Sequence, residues 1–191
     1  NELTHFYDLM AKRRIFMDFV SPLGGNVPVD ERSLDLKDEC NARYWEDAAF
    51  RQKLQSSLKP SDVDPGEYRL IYFAGGHGAM WDFTDNAELQ NIARAIYERN
   101  GMVTAVAHGV SALLNIKLSD GSLLIRDKYV TGYSNVEEAL VSFVSEVPFY
   151  LEEKLKEQGA HYTKAMIPFV EFIEMDERLI TGQNSHSARK V

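Results

Sequence analysis

Two apolar runs constrain this chain more than any other feature. Leu70-Ile71-Tyr72-Phe73-Ala74 and Met102-Val103-Thr104-Ala105-Val106-Ala107 carry almost no polar side chains. That is the composition of strands covered on both faces in a parallel sheet, not the alternation of a half-exposed strand. Each run ends in a glycine-containing turn, Gly75-Gly76-His77-Gly78 and His108-Gly109, and each turn leads into helical periodicity, from about Asn86 to Asn100 and from Val110 to Leu114. Parallel strands require crossover connections, usually helices. Strand-turn-helix units of this kind therefore imply an α/β fold, with a largely parallel sheet covered by helices on both faces. At 191 residues there is room for one domain of ordinary size, and with no internal repeat or linker the expectation is a single domain over residues 1–191.

The remaining segments fill in that scheme. The chain opens on an amphipathic helical pattern with Leu3, Phe6, Tyr7 and Met10 on one face, then Ile15 to Val20 reads as a short buried strand ending at Ser21-Pro22-Leu23-Gly24-Gly25. Residues 39–58 mix Trp45, Ala48, Ala49, Phe50 and Leu54 with charges at helical spacing, until Pro60 and Asp64-Pro65-Gly66 stop them. Gly101 is expected at the C′ position of the helix that begins near Asn86. Leu123 to Ile125 and Tyr129 to Thr131 suggest a β-ribbon, and Val136 to Gln158 a long helix that Pro148 breaks after Val147. Val170 to Glu174 alternates as an exposed-face strand, Leu179 to Thr181 forms a last strand, and Ser187 to Val191 reads as a final helix.

Charge narrows the partners. Lys plus Arg number 21 and Asp plus Glu 29, a net charge of −8, which repels phosphate backbones; neither nucleic acid nor an anionic membrane is expected as a partner. No stretch approaches the roughly 20 apolar residues of a membrane span. The first residues lack the basic and apolar regions of a signal peptide and do not begin with Met. Cys40 is the one cysteine, so no intrachain disulfide forms, which suits a reducing cytoplasm. The five histidines show no i, i+4 pair and no Cys/His cluster, so neither a metal nor a cofactor is expected.

In parallel α/β sheets ligands sit beyond the carboxyl ends of the strands. At the first such end, consecutive glycines make either a plain turn or a cradle of backbone N–H groups for an anion or oxyanion. His77 is read as a loop residue bonded to backbone. At the second end, Val106-Ala107-His108-Gly109 has the strand-turn-helix geometry of a nucleophile elbow, whose apex should be Cys or Ser. Here the apex is Ala107. Cys40, beside Asp38 and Glu39, should have a raised thiol pKa and is read as a partly buried bystander, not a replacement nucleophile. Ser111 is expected to pack or cap. Glu152-Glu153-Lys154 with Lys156-Glu157 is read as a solvated helix face, and Lys12-Arg13-Arg14 as an exposed helix end. Trp81 and Phe83 either wall a site or pack in a core or interface.

Four segments carry a family resemblance: residues 74–82 (Ala-Gly-Gly-His-Gly-Ala-Met-Trp-Asp), 105–109 (Ala-Val-Ala-His-Gly), 130–134 (Val-Thr-Gly-Tyr-Ser) and 179–184 (Leu-Ile-Thr-Gly-Gln-Asn). In this order they resemble the ThiJ/PfpI family of the class I glutamine-amidotransferase-like superfamily, in particular its heat-shock chaperone and glutathione-independent glyoxalase (glyoxalase III) branch. The resemblance implies a flavodoxin-like three-layer sandwich with a mostly parallel central sheet, usually dimeric, whose first strand would precede Glu2. It also implies an elbow cysteine followed by the triad histidine, here His108, and an acid at Glu138, with Glu137 as the close alternative. Glu2 would pair with the elbow thiol, and Gly75, Gly76 and the backbone N–H of Gly76 and His108 would hold the substrate oxyanion. The implied reaction adds a thiolate to a 2-oxoaldehyde such as methylglyoxal and releases D-lactate. Ala107 occupies the cysteine position, so covalent catalysis is expected to be absent. The alternatives are a pseudoenzyme binding carbonyl ligands and a holdase-type chaperone.

Overall fold

The structure is a computed structural model that describes residues 1–141 and 147–191, except for the side chain of Arg32. In chain order its main elements are α1 (Glu2–Lys12), α2 (Glu39–Glu46), α3 (Ala48–Gln55), β1 (Leu70–Phe73), α4 (Ala79–Asp82), α5 (Ala87–Glu98), β2 (Met102–Val106), β3 (Tyr129–Val130), α6 (Asn135–Leu140), α7 (Leu151–Glu157), β4 (His161–Tyr162), β5 (Ile173–Asp176) and β6 (Leu179–Gly182).

The central sheet has the order β1-β2-β6-β5, with β1, β2 and β6 parallel and β5 antiparallel. Phe73 lies opposite Ala105, and Val106 opposite Gly182, so the carboxyl ends of the three parallel strands are level. The turns that follow them therefore open side by side. Val103, Ala105 and Val106 of β2 are fully buried, as the apolar run requires. Adjacent residues of β1 point to opposite faces. Tyr72 stacks on Phe6 of α1, while Phe73 joins Leu89, Ala93 and Tyr97 of α5 in the main core. Helices thus cover both faces of the sheet, the α/β layering expected from the sequence. No helix among the described residues is long and apolar enough to cross a membrane.

Several expectations change. Residues 15–20 form no strand: Val20 makes one isolated bridge to Leu58, and Phe16 is 80% exposed beneath the Lys53 ammonium. The run has no partner strand, and Phe19 is instead held by rings, edge-on to Tyr7 and Phe50. The helical stretch 39–58 is two helices. Asp47 ends α2 and caps α3, its carboxylate accepting from the Phe50 N–H. After α5 the left-handed C′ residue is Asn100, φ +63°, not Gly101. Gly101 follows it and donates to the Ile96 carbonyl in a Schellman closure.

Tyr129–Val130 pairs in parallel with His161–Tyr162, so the proposed ribbon with residues 123–125 does not form; Leu123 bridges Lys117. The exposed-face strand expected over Val170 to Glu174 is shifted to Ile173–Asp176, and the final helix is a 3-10 helix over Ser185–Arg189. The 3-10 form also replaces the α-helix expected after the elbow, over Ala107–Leu113. The break expected at Pro148 adjoins residues 142–146, which lie outside the described residues. Helix resumes at Leu151. Glu152 is not a solvated residue: it is buried and accepts from Lys156, Lys164 and the Asn135 N–H.

Candidate active site

The site is built where β1 and β2 end. At Ala107 the chain turns with φ +52°, a left-handed conformation rare for a residue with a Cβ. Ala107 and the residues that follow it to Leu113 are buried. Gly109 makes the tight turn feasible, since a Cβ there would lie 2.5 Å from the carbonyl oxygens of both Phe73 and Ala74. The elbow is thereby pressed against the end of β1. This is nucleophile-elbow geometry with a methyl group at the apex.

Gly75, at the end of β1, completes the contact from the other side. A Cβ on it would meet the Glu2 Oε1 at 2.8 Å, the Val106 carbonyl oxygen at 2.9 Å and the Ala107 Cβ at 3.0 Å. The Glu2 carboxylate and the Ala107 methyl are thus neighbours across one glycine. The Tyr72 hydroxyl fixes the start of α1 by donating to the Glu2 carbonyl at 2.7 Å. Gly76 follows with φ +117°, a conformation reserved for glycine, so its N–H is oriented by the same turn.

The acid comes from α6. Ser134 caps that helix and forms a capping box with Glu137, and the next residue, Glu138, faces the elbow. The buried Glu138 carboxylate accepts from His108 Nε2 at 2.7 Å (Oε2) and from His77 Nε2 at 2.9 Å (Oε1). Burial pushes this carboxyl pKa up, but the hydrogen bonds from His108 and His77, reinforced by their charge, outweigh it and hold the pKa at about 2. With a carboxylate as acceptor, each Nε2 carries the proton. The rings of His77 and His108 lie 4.0 Å apart, and the Tyr133 ring lies 4.2 Å from His108 and 6.4 Å from His77. Burial, then the charges of Glu137, Glu138 and Glu2, push the Tyr133 hydroxyl well up.

The structure thus brings together Glu2, Gly75, Gly76, Ala107, His108 and Glu138. Glu137, the alternative acid, turns elsewhere: besides Ser134 it accepts from the Phe169 N–H and from Asn184 Nδ2. His77 is the residue that sequence reasoning misassigned. It bonds the acid instead of backbone alone, and its signal was its place in a glycine turn at the carboxyl end of a buried parallel strand. Ser111 packs, donating to the Ala79 carbonyl. Phe83 packs on Phe73, whereas Trp81 is exposed. Cys40 lies on α2 by a separate cavity of about 460 Å³ lined by Asp8, Asp38, Arg43 and Arg189, its thiol pKa raised by burial and by Asp8. Two sets of metal-type ligands come together where spacing along the chain showed none: His77, His108 and Glu138, and His5, Asp38 and Cys40.

Several known proteins are similar to this chain. The probable glutathione-independent glyoxalase hsp3103 of Schizosaccharomyces pombe is 35% identical over 149 residues, 74% of this chain and 57% of its own length. Glyoxalase 3 of Candida albicans is 30% identical over 146 residues, 74% of this chain and 62% of its own, so the chain spans about three fifths of these two relatives. The glutathione-independent glyoxalase HSP31 of Saccharomyces cerevisiae is 30% identical over 197 residues, 98% of this chain and 82% of its own. Among solved structures, Rapid Encystment Protein 24 kDa of Francisella tularensis is 41% identical with a TM-score of 0.94, covering 99% of this chain and 84% of that one. Glyoxalase III of Candida albicans is 26% identical with a TM-score of 0.92, covering 99% and 82%. The DJ-1/PfpI family profile matches residues 41–190. With its elbow, its paired acid and its parallel sheet, the chain belongs to the DJ-1/PfpI family.

Proposed function

We propose that this chain has the site of a glutathione-independent, glyoxalase III-type protein that takes a small 2-oxoaldehyde, and that Ala107 withholds the covalent step. The observation that carries the reading is the elbow: Ala107 keeps the left-handed conformation of a nucleophile position, across Gly75 from the Glu2 carboxylate and directly before His108, which pairs with Glu138. The names of the relatives support the substrate class.

With cysteine at the apex, a thiolate adds to the aldehyde carbon of methylglyoxal to give a hemithioacetal. A histidine or glutamate then moves a proton from the former aldehyde carbon to its neighbour through an enediol, and the hydroxyl proton passes to the former ketone oxygen, leaving a thioester. Water cleaves the thioester, so methylglyoxal plus water becomes lactate and the thiol is regenerated. A methyl group cannot begin this sequence. Glu2, His108, Glu138 and the backbone N–H groups of Gly76 and His108 still supply donors and acceptors for a carbonyl ligand.

The test is D-lactate formation from methylglyoxal by this chain and by Ala107→Cys. We expect background rates from the chain and a gain of at least about 10³-fold from the cysteine, because the members of such a triad act as a unit. Equal activity without the cysteine overturns the role of position 107. A holdase reading needs an apolar surface, to which the individually exposed Phe16, Leu23, Met166, Ile167 and Met175 would contribute. It requires suppression of client aggregation that is indifferent to Ala107→Cys and Glu138→Gln. Homodimerisation belongs to the same proposal, and sedimentation velocity tests it.

A further inference from the structure

Two clusters among the described residues gather metal-type ligand atoms within 4.8 Å of one another. The cluster of His5, Asp38 and Cys40 borders a cavity where Lys12, Lys37, Arg43 and Arg189 outnumber the carboxylates of Asp8, Asp38 and Glu39, and burial raises the pKa of the Cys40 thiol that would have to ionise. The cluster of His77, His108 and Glu138 differs in both respects. Its side chains come from three elements: the turn after β1, the elbow after β2 and the first turn of α6. Both Nε2 atoms converge on the two oxygens of one carboxylate, at 2.9 and 2.7 Å.

We propose that His77, His108 and Glu138 form a binding site for a first-row divalent metal ion of the zinc type. Two imidazole nitrogens and a carboxylate, with a position left for water, is the donor set of catalytic zinc and of non-haem iron centres. Ligand atoms held about 2.1 Å from one tetrahedral ion stand roughly 3.4 Å apart, so the present nitrogen–oxygen contacts must open by somewhat over half an ångström. His77 has that freedom, since its side chain is 36% exposed and its turn is flanked by glycines on both sides. An ion in this position takes the Glu138 oxygens from His108. Metal occupancy and the His108–Glu138 pairing of the glyoxalase reading are therefore alternative states of the same side chains. The proposal does not depend on that reading.

The full chain, stripped of metal by chelation, is titrated with zinc by calorimetry and with Co²⁺ by absorption spectroscopy. The expected result is one ion per chain, with visible d–d bands and no near-ultraviolet thiolate charge-transfer band. His77→Ala weakens zinc binding at least about 100-fold, and Cys40→Ser leaves it unchanged. His77→Gln keeps an N–H for Glu138 while removing the imidazole ligand, so it gives the same loss if the alanine variant folds poorly. The proposal is overturned if zinc does not bind, if both His77 variants bind as the parent does, or if Cys40→Ser removes binding or a thiolate band appears. The D-lactate assay on Ala107→Cys stands or falls separately from every one of these outcomes.

Discussion

At Glu138 the competition between burial and pairing decides the ionisation of a single side chain. Its pKa falls from an ordinary 4.5 to about 2 because two imidazole N–H groups hold the charged form. A carboxyl depressed in the folded state contributes stability above its unfolded pKa and loses it as pH falls through the folded one. The contribution, on the order of 3 kcal/mol, should therefore be intact at neutral pH and disappear between about pH 4.5 and pH 2. Urea denaturation of the parent and of Glu138→Gln over that range should show the pH dependence flattened in the variant. Gly75 presents the opposite case, where the absence of a side chain is the function. Gly75→Ala would place a methyl 2.8 Å from the Glu2 carboxylate and 2.9 Å from the Val106 carbonyl. The expected cost is about 1–3 kcal/mol, and a denaturation midpoint equal to that of the parent would show that the turn yields more easily than the packing implies.

Helix α6 shows how one short element separates structure from chemistry. Its six residues are too few to be stable alone, and the capping box between Ser134 and Glu137 fixes where it starts. Successive residues on a helix point about 100° apart, so with Glu137 committed to the cap, the Phe169 N–H and Asn184, Glu138 is left to face His108. Ser134→Ala should cost about 1 kcal/mol. Glu137→Ala should cost about 3 kcal/mol, since it removes the acceptor of the Ser134 N–H, of the half-buried Phe169 N–H and of one hydrogen of the buried Asn184 carboxamide. Thermal unfolding of the two variants measures both, and a Glu137 variant as mild as the Ser134 one would refute the bridging role. The sequence left Glu137 and Glu138 open because adjacent identical residues carry no signal of which one faces which partner.

Over the whole molecule, the packing of α1 is tied down by Asp8. This buried carboxylate takes Lys12 from its own helix, Arg43 and Tyr44 from α2, and Arg189 from the last turn of the chain. Burial opposes its ionisation, and the Lys12 hydrogen bond and the Arg43 charge overcome it, so its pKa is lowered. Asp8→Ala should loosen the N- and C-terminal segments together and cost about 1–3 kcal/mol, the range for a charged hydrogen-bonding group lost from a buried position. Hydrogen exchange should show faster amides in both α1 and residues 185–189. Protection lost in α1 alone would mean that the C-terminal turn is held by Ala188 and Val191 in the small core they share with Val106 and Ala107.

What the sequence by itself determined is what local chemistry dictates. Strands β1 and β2 were legible because residues buried on both faces of a sheet must be apolar along their whole length. The elbow was legible because a strand that ends in small residues before a helix has few other conformations. Residues 15–20 have the same apolar character as those strands, yet form none, because a strand exists only where another strand offers its N–H and C=O groups, and that depends on the rest of the chain. His77 and Glu138 are 61 residues apart, and His108 lies 30 from Glu138. Only the level carboxyl ends of β1 and β2, with α6 folded over them, bring the three together. Composition and periodicity record which side chains must leave water, whereas the partner each polar atom finds is set by the path of the backbone between them.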